Sequence, residues 1–399
     1  MESRIAQAFA ARKLVRPTFD EPDMVHLVRA IAAITGVKDF DVTPPVERLI
    51  SEIGQAPHIV FILLDGLGMN IISRLPPESF LKQHVRLVMR ATSPSTTACA
   101  LTSIATGHWP GQHGITGWFT YLPEHSLTIT PLPFTERFSQ RSLAEQLKAT
   151  DVLPVPAFYP HMTHHNLTLL PIQIVNTTYA TWARGYTPGQ GFTSYADAVD
   201  KILAQLSTAT APTYTHWYVP DVDSLCHHRG ITYEGVDALV GRLDAALVRL
   251  AEGMPAGTRL IISADHGLID VPVSSHMHIH EGDSLLDLLA CPPTGDARLP
   301  VFHVREGRRE EFVEEFNSRF GHSMSLLSTD QAEEMGLFGP RPWNSTAKRR
   351  FGDFVGIADR PATLHYIQRH APPKATKEPY LAQHAGLSPD EMLIPLIIA

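Results

Sequence analysis

Three strand-like runs in this chain each end in an aspartate: His58–Leu64 before Asp65, Thr213–Val219 before Pro220-Asp221-Val222-Asp223, and Arg259–Ala264 before Asp265. Parallel α/β sheets receive their ligands at the carboxyl ends of the strands, so carboxylates delivered there from separate strands converge on one crevice. Histidine follows in two of the three places, as Asp223-Ser-Leu-Cys-His227 and directly as Asp265-His266. Carboxylate oxygen and imidazole nitrogen together are the donor set of a divalent cation such as zinc. The pattern predicts an α/β fold with a mostly parallel central sheet, helices on both faces and metal-assisted hydrolytic chemistry.

The remaining chain fits that frame. Apolar residues recur at helical spacing over residues 24–54, which predicts helices that prop the first strand. After the first strand come a turn, a helix, and a Ser/Thr-rich turn into a second helix, which runs from near Ser95 to Gly107. Residues 119–210, rich in Pro, Thr and aromatics, are expected to add strands, helices and loops that roof the site. Tyr233–Glu252 has the pattern of an amphipathic helix, and Met392–Ile398 that of a last buried strand. Residues 271–375, polar and rich in Pro and Gly, predict a loop-rich insertion with one helix near 309–320. The whole, residues 1–399, is expected to form a single catalytic domain.

Composition narrows the class. With 399 residues, 44% hydrophobic and 19% charged, the chain has ample material for a core. A formal net charge of -8 argues against a nucleic acid polymer or an anionic membrane as partner. Cys99, Cys226 and Cys291 are odd in number and widely spaced, so no disulfide framework is expected. The amino terminus lacks the apolar stretch of an export signal, and no apolar run approaches the ~18–20 residues of a membrane span. A cytoplasmic protein is the expectation.

The segment Ala91-Thr-Ser-Pro-Ser-Thr-Thr97 leads into Ala98 to Gly107 and places hydroxyls at a helix amino terminus. There the unpaired N–H groups and the positive dipole end attract anions, phosphate among them. A hydroxyl at that spot beside a metal can lose its proton and attack. Each signal has a plain structural counterpart. Ser95 or Thr96 can simply cap the helix, Asp223 and His227 can be a surface pair one turn apart, and His384 can be a loop histidine. The functional reading rests on four separate segments all bringing Asp or His to strand ends.

Together these stretches resemble the alkaline phosphatase superfamily, and within it the type I phosphodiesterase/nucleotide pyrophosphatase family. The resemblance is carried by Phe61-Ile-Leu-Leu-Asp65-Gly-Leu-Gly, Pro94-Ser-Thr-Thr97 through Thr106-Gly107-His-Trp-Pro-Gly-Gln-His113-Gly114, Asp223-Ser-Leu-Cys-His227, Ala264-Asp265-His266-Gly267 and Gln383-His384-Ala-Gly-Leu-Ser-Pro. It implies two divalent ions, zinc or alternatively manganese. One set of ligands would be Asp223, His227 and His384; the other Asp65, Asp265 and His266, with the Thr97 oxygen as its reactive ligand. The family's nucleophile sits nine residues before the Thr that matches Thr106, which selects Thr97. Thr97 would attack phosphorus, form a phosphorylated threonine and be released by water.

Several positions depart from the family. Secreted nucleotide pyrophosphatases carry an asparagine soon after the His-Gly-Ile stretch, where this chain has Trp118. Their signal peptides and disulfides have no counterpart in this sequence, nor does the Cys-x-Pro-x-Arg motif of sulfatases. The expected substrate is a small phosphoric ester, preferably a diester, since no Arg or Lys nearer than Arg90 accompanies Thr97 in sequence; residues 340–350 are a possible distant source. Trp118, Phe119 and Tyr121 would form an apolar wall for a second ester substituent. A phosphomonoesterase and a non-catalytic metal-binding relative are the competing readings. His276-Met-His278-Ile-His280, alternating on an extended stretch, offers a further set of imidazoles or a merely solvated loop.

Overall fold

The computed structural model describes residues 4–369 and 379–399; residues 370–375 of the expected insertion lie outside them. His58–Leu64 is buried at every position after the first, and Thr213–Val219 is buried throughout. Strands covered on both faces belong in the middle of a sheet with helices above and below. That is where they lie. The main sheet has the order Val85–Arg90, Leu393–Ile398, Thr258–Ser263, His58–Leu64, Thr213–Val219, His165–Pro171, Gly189–Phe192. Leu393–Ile398 runs antiparallel to both neighbours, and the other pairings are parallel.

Register brings the strand ends level. Leu64 pairs with Val219 and Leu63 with Ser263, so the three chains leave the same edge of the sheet together. The Asp65 N–H donates to the Val219 carbonyl at 2.9 Å, and the Asp223 N–H to the Asp65 carbonyl at 3.1 Å. Gly66 makes this closeness possible. Its φ is +74°, and a Cβ there would lie 2.9 Å from the Asp223 Cα.

Residues 119–210 contribute strands and helices, and the stretch 271–375 contains more regular structure than its composition suggests. Residues 119–210 supply His165–Pro171 and Gly189–Phe192 to the main sheet as well as a three-stranded sheet of Thr120–Leu122, Leu127–Thr130 and Thr135–Glu136. Within 271–375, the expected loop-rich insertion, Thr294–Asp296, Leu299–Phe302, Phe354–Ala358 and Met324–Ser328 form a four-stranded antiparallel sheet. The reason is burial. Leu299, Val301, Val355 and Ile357 join the main core, while Phe302 packs with Phe312, Phe316 and Phe320 of the Arg309–Phe320 helix in a small core of its own. Short strands divided by Pro and Gly hide this alternation in the sequence.

Candidate active site

The helix Thr97–Thr106 begins two residues later than the sequence suggests, with Thr96 as an extended cap and Gly107 closing it at φ +70°. The three hydroxyls therefore part company. Ser95 turns away and donates to the Gly386 carbonyl at 2.7 Å. Thr97 faces the strand ends, with Oγ1 3.1 Å from His266 Nε2 and 3.5 Å from Asp65 Oδ2. It is the first residue of a ten-residue helix, where the dipole end favours negative charge.

His384 reaches this point from the far end of the chain. Ala385, in the left-handed region at φ +88°, donates its N–H to the Ser95 carbonyl at 2.8 Å, and His384 Nδ1 donates to the same carbonyl at 3.2 Å. A residue with a Cβ held at positive φ costs on the order of 1–3 kcal/mol and persists where its surroundings fix it. Here the two hydrogen bonds to the Ser95 carbonyl do so.

The donor set fits a divalent cation. Each of three imidazoles donates through Nδ1 to a backbone carbonyl: His227 to Ala382 at 2.7 Å, His266 to Gly267 at 3.1 Å, His384 to Ser95 at 3.2 Å. A carbonyl only accepts, so the proton sits on Nδ1 and every Nε2 presents a lone pair. Those lone pairs face carboxylate oxygens. His266 Nε2 lies 3.5 Å from Asp65 Oδ1 and 3.4 Å from Asp265 Oδ2; His227 and His384 Nε2 lie 3.3 and 3.8 Å from Asp223 Oδ1. The same three oxygens are buried without a hydrogen-bond partner among the described residues. Buried lone pairs pointed at one another are unfavourable until a cation stands among them.

The charges carry the same message. Burial, then the neighbouring Asp265 and Asp223, pushes the Asp65 carboxyl well above its ordinary range, and burial raises Asp265 too. Burial, then His266 and His227, drives His384 well below the usual imidazole value. Ligand atoms of Asp65, Asp265 and His266 all lie within 4.8 Å of one another, as do those of Asp223, His266 and His384. His266 thus stands in both groups, its ring stacked on that of His384 at 3.9 Å. His227, which the sequence pairs with Asp223 and His384, adjoins the second group with its ring 5.0 Å from that of His384.

Two cavities of about 680 and 640 Å³ open from this centre, and Thr97, Trp118 and Asp223 belong to the walls of both. The larger also has Arg137, His276, His278 and His365 in its wall; the smaller is apolar, with Leu101, Ile104, Leu170 and Tyr179. Phe119 lines the larger cavity. Tyr121, expected beside it, does not; its ring packs edge-on against the mostly buried His303 at 4.7 Å. His280 is exposed and lies outside the wall that holds His276 and His278.

Residues 59–384 match the family described as Type I phosphodiesterase / nucleotide pyrophosphatase. The chain belongs to that family. It is accordingly an enzyme, a hydrolase of the phosphodiesterase/nucleotide pyrophosphatase class. Similar folds include human ectonucleotide pyrophosphatase/phosphodiesterase 5, at 15% identity and TM-score 0.63 over 85% of this chain and 87% of that one. An inactive threonine-to-alanine variant of the murine protein in complex with AMP matches at 14% identity and TM-score 0.61, again over 85% and 87%. Phosphonoacetate hydrolase from Sinorhizobium meliloti 1021, in complex with phosphonoformate, matches at 17% identity and TM-score 0.56 over 85% of this chain and 89% of that one. No curated protein sequence matches the chain. Among the described residues no helix is long and apolar enough to cross a membrane.

In this member of the phosphodiesterase family, three site residues escape the sequence patterns. Tyr218 donates its phenolic hydrogen to Asp65 Oδ2. Alternation along Thr213–Val219 sets it on one face with His216, and both line the apolar cavity, so its position was discoverable. Asp296 accepts the Trp118 N–H at 2.9 Å and lines the larger cavity; burial pushes it up to about 6. Arg137 is the cation that sequence proximity to Thr97 could not reveal. Of the 340–350 candidates, Arg350 pairs with Glu124 and Lys348 with Asp330 and Glu333, and neither Arg341 nor Arg349 lines either cavity.

Proposed function

We propose that this protein is a two-metal phosphodiesterase in which Thr97 is the nucleophile. The observation that carries the reading is the place of Thr97 Oγ1, at a helix amino terminus and within 3.5 Å of both Asp65 and His266. Asp65, Asp265 and His266 would hold one ion, and Asp223 and His384, with His227 or His266, the other. Zinc suits the mixed nitrogen and oxygen donors, with manganese the alternative. When bound, the ions supply charge to the attacking and leaving oxygens of an in-line displacement.

The chain's own groups do the rest. Asp65 Oδ2 accepts the Thr97 hydrogen and so turns the oxygen lone pairs toward the cleft. A bond forms from Thr97 Oγ1 to phosphorus as the bond from phosphorus to one ester oxygen breaks; the threonine proton is lost and the leaving oxygen gains one. Water then cleaves the phosphothreonine ester and returns the hydroxyl. The N–H groups at the start of the helix favour the anionic phosphoryl oxygens.

An apolar cavity beside Thr97 accommodates an organic substituent, which a diester has on both sides of phosphorus and a monoester on one. The AMP held by the murine relative makes nucleotide esters natural members of the test panel. The deciding experiment compares kcat/KM for bis-p-nitrophenyl phosphate and p-nitrophenyl phosphate in the zinc-supplied protein at one pH. The diester is expected to be faster. A clear monoester preference would assign a phosphomonoesterase, the reading that Arg137 in the cleft wall favours.

A further inference from the structure

His216 lies within Thr213–Val219, only 6% exposed, and lines the apolar cavity two residues, about 6.5 Å, back along the strand from Tyr218. Its ring stacks on Phe61 at 5.3 Å, and its Nδ1 lies 3.0 Å from the Tyr159 hydroxyl. Tyr214 sets the direction of that bond. Burial raises the Tyr159 and Tyr214 phenols; the hydrogen bond between them raises Tyr214 further and lowers Tyr159, which makes Tyr214 the donor. The Tyr159 hydrogen therefore goes to Nδ1, and the ring carries its own proton on Nε2. Burial keeps the ring neutral by pulling its pKa down to about 4. Nε2 is buried and has no hydrogen-bond partner among the described residues. Polar groups nearby are spent: Tyr218 on Asp65, Tyr179 with Thr102, and Arg184 on the Thr187 and Val175 carbonyls. Thr168, opposite His216 in the neighbouring strand, lines the same wall and makes no bond to the ring. An N–H withdrawn from water and given no acceptor is in an unfavourable place.

We propose that His216 reads the substituent that enters the apolar cavity, its Nε2–H donating to an uncharged acceptor on that group, a carbonyl oxygen above all. The inference rests on the phosphodiesterase reading in placing phosphorus at Thr97, which shares this cavity wall with His216. Leu101, Ile104 and Leu170 enclose the body of the group, and the acceptor stands several bonds from phosphorus, at the depth of His216. Selectivity comes from mismatch. A purely apolar group of the same shape leaves the Nε2–H unpaired, and an anionic one gives up its hydration for a neutral donor and apolar walls.

The test uses two ligands of one shape and measures binding, so that it does not depend on turnover. Zinc-supplied protein is titrated calorimetrically with 4-acetylbenzylphosphonate and 4-isopropenylbenzylphosphonate, which differ in a carbonyl oxygen against a methylene. Wild type is expected to bind the acetyl ligand about three- to tenfold tighter, the size of one neutral hydrogen bond. His216→Asn keeps an amide oxygen near the place of Nδ1 to accept from Tyr159 and has nothing at the place of Nε2. It is expected to abolish the preference and leave the isopropenyl affinity within about twofold. His216→Gln, whose amide reaches the place of Nε2, is expected to restore part of the preference. Nitrogen NMR spectra of the wild-type imidazole give a reading that needs no variant. The proton should sit on Nε2, and that nitrogen should shift on adding the acetyl ligand and not the isopropenyl one. Equal affinities in wild type, a proton on Nδ1, or a preference that survives in His216→Asn overturns the proposal. Failure to hydrolyse bis-p-nitrophenyl phosphate overturns the phosphodiesterase reading instead and leaves this binding contrast standing.

Discussion

Tyr218 donates its phenolic hydrogen to the oxygen of Asp65 that also faces the Thr97 hydroxyl. The other Asp65 oxygen has no hydrogen-bond partner among the described residues and points toward His266. One carboxylate oxygen is thus held by protein donors, and the other is left for the ion proposed above. Burial and then the Asp65 charge hold the phenol well above its ordinary pKa, so it remains a donor across the working pH range.

Removing that donor should be felt without unfolding the protein. Tyr218→Phe keeps the ring that fills the space and deletes one hydrogen bond. Groups that orient a metal ligand are typically worth about 10–100-fold in activity or metal affinity. Steady-state kinetics and a zinc titration of this variant check the expectation; unchanged values in both would separate Tyr218 from the site.

Thr97→Ala should reduce turnover by a factor on the order of 10⁴ or more, as loss of a nucleophile does elsewhere. Metal content should stay near wild type. Ser95→Ala deletes the bond to Gly386 and is expected to cost ~1 kcal/mol of stability, Thr96→Ala, whose hydroxyl makes no cap bond, less, and both little turnover. If Thr96→Ala abolishes activity and Thr97→Ala does not, the nucleophile is misassigned.

Elemental analysis after mild dialysis should find two divalent ions per chain. Chelation is expected to remove activity and lower the melting temperature together, because an ion at about a hundred times its Kd contributes roughly 2.7 kcal/mol per site. His227→Ala is informative in particular. Loss of one ion makes it a ligand, whereas retention of both leaves His266 as the imidazole next to Asp223 and His384.

Arg298 and Glu391 form a buried two-bond pair, at 2.6 and 2.9 Å, and Glu391 also accepts the Gly386 N–H at 2.8 Å. The pair fastens the four-stranded sheet to the turn that carries His384. Burial by itself raises the Glu391 carboxyl, but Arg298, Ser388 and the Gly386 amide outweigh it and hold the folded-state pKa below the ordinary value. Stability from this depression is therefore present above the unfolded pKa of about 4.3 and is lost as pH falls through the folded value. Arg298→Met should cost about 3–5 kcal/mol near neutral pH. The gap between variant and wild type in chemical denaturation should narrow as the pH drops below about 4. A pH-independent gap would mean that the pair acts through packing alone.

How much of this was readable from the sequence depended on distance along the chain. Asp65 and Asp265-His266 follow buried strands directly, and the run Asp223 to His227 turns once on a helix, so local pattern sufficed. The helix Glu234–Gly253 and the strand Leu393–Ile398 matched their periodicity to within a residue. Arg137 and Asp296 had no such signal. They reach the cleft from segments whose placement is set by tertiary packing, Arg137 from the end of a short sheet and Asp296 from a strand pairing that Pro and Gly obscure. Tyr121 failed for the converse reason, since adjacency to Phe119 said nothing of the His303 ring that claims it.

The antiparallel strand Leu393–Ile398 lies between two strands drawn from much earlier in the chain, and His384 stands on the approach to it. Contacts so remote in sequence close long loops, at a cost in chain entropy. The parallel core of His58–Leu64, Thr213–Val219 and Thr258–Ser263 is available before this segment has been synthesised. Pairing of Ile397 and Ile398 with Thr258–Ser263 thus ties the carboxyl-terminal strand to the parallel core, and the segment before that strand carries His384 to Asp223 and His266.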